Sequence, residues 1–109
     1  MEAIENSGHA GKIKIGLDVA ASEFYDPKAN TYNLSQKTGK NDRIMTPDEL
    51  LAIYDKMSSD YPIVSIEDPF DQDDFSSYIK MTQQIGDRIQ VVGDDLLVTN
   101  PKRVQMGID

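Results

Sequence analysis

Tyr61-Pro62-Ile63-Val64-Ser65-Ile66-Glu67-Asp68-Pro69-Phe70-Asp71-Gln72-Asp73-Asp74 begins with a proline boundary, passes through a short apolar run and ends in acid. A run that short and that rich in β-branched residues fits a strand buried in a sheet. Two other runs repeat the pattern. Ile13 to Leu17 ends at Asp18, and Ile89 to Val92 leads through Gly93 to Asp94 and Asp95. Helical patterns separate them. Thr46-Pro47-Asp48-Glu49 forms a capping box with proline at the first helical position, and its acids sit where the positive end of the helix dipole favours them. Leu50, Ile53, Tyr54 and Met57 follow on one helical face, and Pro62 marks the far boundary. A second helix is predicted from about Asp74 to Ile85, with Phe75, Tyr78, Ile79 and Thr82 on one side and Gly86 ending it. A third begins at Asn100-Pro101, and Met1 to Ser7 reads as the end of another. Strands alternating with helices predict an α/β fold with about three parallel strands and crossover helices.

The stretch from Ala20 to Met45 interrupts this rhythm. It is polar, carries Pro27 and Gly39, and reads as one long loop of the kind that forms a functional lid or stays disordered. Its aromatics, Phe24, Tyr25 and Tyr32, are expected to anchor the loop to the body of the protein rather than to touch a ligand.

The 109 residues include no cysteine and one histidine, and carry a net charge of -8. Without cysteine there are no disulfides and no thiolate metal sites, which fits a cytoplasmic protein. The acidic balance argues against nucleic-acid binding, since a phosphate backbone must be met by clustered Lys and Arg. No apolar run nears the ~18 residues of a membrane span.

In a parallel α/β sheet the C-terminal strand ends open on one face, where active sites are built. Asp18, Glu67 and Asp94 each stand at such an end. A single acid after a strand is commonly a cap or turn residue, and Asp68, Asp71, Asp73, Asp74 and Asp95 fit that description. Three successive strands ending in acid point further, because carboxylates gathered in a partly desolvated place repel one another and need a positive partner. With no cysteine and only His9, near the N-terminus and off any strand end, a hard cation with oxygen ligands is the natural partner, and Mg²⁺ fits best. A carboxylate beside two others would also suit a general base, and the pattern does not separate the two roles.

Three strings go beyond pattern. Ile15-Gly16-Leu17-Asp18-Val19-Ala20-Ala21-Ser22-Glu23-Phe24, the stretch from Tyr61 to Asp74, and Val91-Val92-Gly93-Asp94-Asp95-Leu96-Leu97-Val98-Thr99-Asn100-Pro101-Lys102-Arg103 resemble, in order, the metal-binding segments of eukaryotic-type enolases. The resemblance implies that residues 1–109 are an internal part of the enolase C-terminal barrel domain, a partial TIM-type barrel. It implies Asp18, Glu67 and Asp94 as Mg²⁺ ligands, with Glu67 and Asp94 also beside the substrate, and a mobile loop opening at Ala21-Ser22. The implied reaction is the dehydration of 2-phosphoglycerate to phosphoenolpyruvate in glycolysis, carried out in the cytoplasm by a homodimer.

The family's base lysine has no counterpart among Lys12, Lys14 and Lys102, so this chain is expected to hold no catalytic residue and to be inactive and marginally stable alone. Both ends fall inside helical patterns, which reads as an internal segment. Two alternatives use the same residues differently. One is plasminogen-type binding at a cell surface through Phe24 to Tyr32, where Lys28 is the one basic residue. The other is a short chain that keeps the metal site as a brace and docks on full-length enolase.

Overall fold

The computed structural model describes residues 1–35, 38–40 and 42–109. Three parallel strands form the central sheet: β1 (Ile15–Asp18), β5 (Ile63–Glu67) and β6 (Gln90–Val92), in the order β1-β5-β6. The connections carry α2 (Pro47–Asp60) and α3 (Phe75–Ile85), so the alternation expected from the sequence is realised. A short α1 (Glu2–Asn6) precedes β1, and α4 (Asp94–Leu97) and α5 (Pro101–Ile108) follow β6. The first strand starts two residues later than the apolar run, leaving Ile13 exposed and Lys12 and Lys14 ahead of the strand.

Register gives the sheet two unlike faces. Leu17, Ile66 and Val91 pair across the three strands and share one face; Ile66 is fully buried there. Gly16, Ser65 and Gln90 share the other face, followed by Asp18, Glu67 and Val92. On that second face Gly16, Asp18 and Gln90 are exposed.

The capping box of α2 forms as the sequence predicts. Thr46 Oγ1 accepts from the Glu49 N–H at 3.3 Å, and Glu49 Oε2 accepts from the Thr46 N–H at 2.8 Å. These bonds to its charged form hold the Glu49 carboxyl below its usual range. Leu50, Leu51 and Tyr54 are the buried residues of α2, with Ile53 and Met57 half-buried beside them. Asp74 caps α3, accepting from the Ser77 N–H at 3.1 Å. The buried side of α3 is Ser77, Tyr78, Met81 and Ile85, a rotation from the expected face. Ile79 is exposed instead and, with Phe75 and Thr82, borders an apolar groove shared with Val104 and Ile108 of α5.

The segment from Ala20 to Met45 is more ordered than a bare loop. It holds a 3₁₀ turn (Ala21–Phe24) and a small antiparallel sheet of β2 (Tyr25–Asp26), β3 (Thr31–Asn33) and β4 (Ile44–Met45). Gln36, Lys37 and Asn41 of the expected loop lie outside the described residues. In the hairpin tip, Asp26 Oδ1 accepts from the N–H groups of Lys28 and Ala29 at 2.9 and 3.4 Å.

The core centres on Phe70, which is fully buried among three tyrosines. The rings of Tyr54, Tyr78 and Tyr32 meet it edge-on at 5.8, 5.8 and 6.2 Å, and the Tyr25 ring lies tilted behind Tyr32 at 5.0 Å. Tyr32 and Tyr25 therefore anchor the loop segment, as the sequence suggests. Phe24 is half-buried beside them.

Candidate metal centre

The C-terminal ends of β1, β5 and β6 lie side by side because their backbones are hydrogen-bonded beyond the strands. Asp18 is the register partner of Glu67, and Glu67 pairs with Val92, two residues before Asp94. The N–H of Val19 donates to the Glu67 carbonyl at 3.0 Å, that of Ala21 to the Asp68 carbonyl at 3.0 Å, and that of Asp68 to the Val92 carbonyl at 2.9 Å. The topology thus brings all three sequence-predicted acids to one edge.

Their surroundings differ. Asp18 and Asp94 are exposed, and Glu67 is half-buried between them. Desolvation first, and then the negative charges of Asp18, Asp68, Asp94 and Asp95, raise the Glu67 pKa. The Asp95 pKa is raised as well, first by Asp68 and then by desolvation, Asp94, Asp18 and Glu23. The four ion pairs found among the described residues, Lys56–Asp60, Lys80–Asp48, Arg88–Asp55 and Arg103–Asp73, involve none of Asp18, Glu67, Asp94 and Asp95.

A hard divalent cation suits this donor set, which offers carboxylate oxygens and no thiolate. His9 sits exposed in the turn after α1. Among the described residues, no group of three or more His, Asp or Glu side chains is drawn close enough together to hold an ion. The strands supply the placement of the acids; the carboxylates do not converge on a common centre.

Several residues that hold this edge together were not singled out as site residues by their sequence. Ser22 Oγ accepts from the Gln72 N–H at 2.9 Å, tying the 3₁₀ turn to the loop after β5. That loop is fastened by the three phenols that surround Phe70. Tyr54 donates to the Pro69 carbonyl at 2.8 Å, Tyr78 donates to Asp68 Oδ1 at 3.2 Å, and Tyr32 accepts from the Asp71 N–H at 2.7 Å. Arg103 closes the far side, donating to Asp73 Oδ1 at 2.9 Å and to the carbonyls of Gln72 and Leu96. Asp71 and Asp74 are the turn and cap residues the sequence suggests, since Asp71 Oδ2 accepts from the Asp73 N–H at 3.0 Å. Asp68 is also a cap, but of a helix that follows a different strand. It is 4% exposed, and its two carboxylate oxygens both accept from the Asp95 N–H at 3.1 Å.

A parallel sheet with crossover helices, with an acid at or just beyond the C-terminal end of each strand, defines a segment of a β/α-barrel domain. Over residues 1–109 the chain matches the family model for the enolase C-terminal TIM barrel domain, and it belongs to that family. It is 54% identical to an enolase of Eimeria tenella over 99% of its own length, and 56% identical to an enolase of Solanum lycopersicum over 97%. The chain spans about a quarter of the length of each relative, 25% and 24%.

Proposed function

We propose that this chain is the metal-binding part of a Mg²⁺-dependent lyase barrel that interconverts 2-phosphoglycerate and phosphoenolpyruvate. Asp18, Glu67 and Asp94 are the cation's protein ligands, and Glu67 and Asp94 also border the substrate. The observation that carries this reading is the register: Asp18 lies opposite Glu67, and Asp94 stands two residues after Val92, which pairs with Glu67. The crowding that raises the Glu67 pKa supports it, because a divalent cation would relieve that repulsion. When bound, Mg²⁺ supplies charge stabilisation at the substrate carboxylate as the α-proton leaves.

The chain's own residues contribute binding and orientation. Ser22 and the Tyr32, Tyr54 and Tyr78 phenols fix the loop that follows Glu67, so that Glu67 is presented from a braced strand end. None of the residues assigned here moves a proton: Lys12 and Lys14 precede β1, Lys102 lies in the first turn of α5, and none corresponds to the family's base. The isolated 109 residues are therefore inactive, and the reaction belongs to the longer enzyme, a cytoplasmic homodimer. No helix among the described residues is long and apolar enough to cross a membrane.

Titration of the purified chain with Mg²⁺, followed by calorimetry and circular dichroism, tests the ligand set. Saturable binding that raises the melting temperature and disappears in Asp94→Ala is the expected result. Equal binding by the variant, or none by the unsubstituted chain, would remove the reading. A dehydratase assay of the same preparation should show no turnover.

A further inference from the structure

The first residue of α4 is Asp94, and its N-cap is Gly93, which has no side chain to satisfy the open N–H groups of the helix. Nor could a larger residue serve: a Cβ at Gly93 would lie 2.9 Å from Leu96 Cβ and Cδ2, and Leu96 is buried. The close packing of Leu96 on Gly93 thus excludes a local cap. The missing acceptor comes from another strand. Asp68, just beyond β5, turns through φ 44, a left-handed conformation that aspartate tolerates better than most residues, and so aims its carboxylate at the start of α4.

Asp68 Oδ1 and Oδ2 each lie 3.1 Å from the Asp95 N, and Tyr78 Oη donates to Oδ1 at 3.2 Å. On the backbone, the Asp68 N–H donates to the Val92 carbonyl, immediately before Gly93. One buried residue therefore grips both sides of the Val92-Gly93-Asp94-Asp95 turn. We infer that Asp68 is a positioning residue: it caps α4 from across the sheet and so fixes where Asp94 presents its carboxylate beside Glu67. The inference rests on the metal reading for its purpose, but its geometry can be tested without the cation.

Three chains decide it: unsubstituted, Asp68→Ala, and Asp68→Asn, which keeps one acceptor oxygen of the same shape. Tyr78→Phe serves as a fourth, milder change that leaves Asp68 in place. Two readouts are taken on each folded chain: amide hydrogen exchange at Asp95 and Leu96, and calorimetric Mg²⁺ affinity. The expected result is faster exchange at both amides in Asp68→Ala, with Asp68→Asn and Tyr78→Phe between it and the unsubstituted chain. Mg²⁺ affinity should fall in the same order, by about 10- to 100-fold for alanine, the usual effect of removing a partner that orients a ligand. Loss of affinity without change in the amides, or equal losses for alanine and asparagine, would overturn the inference. If the unsubstituted chain binds no Mg²⁺, the metal reading falls by itself. The exchange order then still decides the inference, and unchanged amides in Asp68→Ala overturn it.

Discussion

Glu67 and Asp68 are adjacent, both acidic, and opposite in circumstance. Glu67 lies on the open face of the sheet among like charges, whereas Asp68 is buried and accepts hydrogen bonds from Tyr78 and Asp95. Because the folded-state pKa of Glu67 is raised, its ionisation opposes folding, and its protonation favours it. In the cation-free chain, Glu67→Gln should therefore raise the melting temperature at pH 7. The difference should shrink as pH falls through the carboxylate range and vanish below about 4, where the glutamate of the unfolded chain is also protonated. Thermal melts between pH 4 and 8 check this. Glu67 was legible because its position after an apolar run is a property of the string. The role of Asp68 was not, because it depends on the Gly93–Leu96 contact and on a left-handed φ. The same holds for Ala20, Val98 and Thr99, which adopt φ 46, 42 and 55 without being glycine. Val98→Gly should stabilise the chain by up to about 1 kcal/mol net, since a β-branched residue is costly in that region and glycine is not. Denaturant unfolding would show it as a higher midpoint.

Among the elements, α2 is the one whose sequence and structure agree most closely, since its cap, proline and apolar spacing are all local signals. Thr46→Ala should cost about 1 kcal/mol, the usual worth of an N-cap hydroxyl, measured by the same unfolding experiment. The Glu49 half of the box works in the opposite sense to Glu67. Its lowered pKa means that its contribution is present at neutral pH and is lost as pH falls through its folded-state value. The α3 face was misjudged because spacing cannot distinguish a stripe facing the sheet from one facing a neighbouring groove. Tyr78, Met81 and Ile85 take the first, while Ile79 and Thr82 take the second. The small sheet of β2, β3 and β4 was hidden for another reason. Strands of two or three residues are too short to show any alternation. Only their aromatics gave a signal, and Tyr32 carries it. Tyr32→Phe keeps the ring contacts with Phe70 and Tyr25 but leaves the Asp71 N–H without its acceptor, at a cost of about 1–3 kcal/mol.

At the scale of the whole molecule, one sheet face is packed and the other is open, and a single aromatic cluster ties the helices to the loop that follows β5. Phe70 is its hub. Phe70→Ala should cost about 3–5 kcal/mol, a large share of the ~5–15 kcal/mol available to an ordinary domain. Circular dichroism at 25 °C is expected to show substantial loss of helix in this variant. That the strands run parallel was legible because strands alternating with helices imply crossover connections. That Phe70 sits at the centre was not, since a lone aromatic between a proline and an aspartate carries no periodic signal.

The phenols that hold Phe70 have an optical consequence. The chain has five tyrosines and no tryptophan, so its near-ultraviolet spectrum is a tyrosine spectrum. Burial pushes the phenols of Tyr32, Tyr54 and Tyr78 well above the ordinary range, and Tyr25 is raised less. Protons are thus held more tightly in the folded chain, and stability is lost as alkaline pH rises past the ordinary phenol value of about 10. Phenolate absorbance from Tyr32, Tyr54 and Tyr78 should therefore appear late, together with unfolding. That late absorbance is an inbuilt gauge of whether the loop behind Glu67 is still fastened, readable without any label.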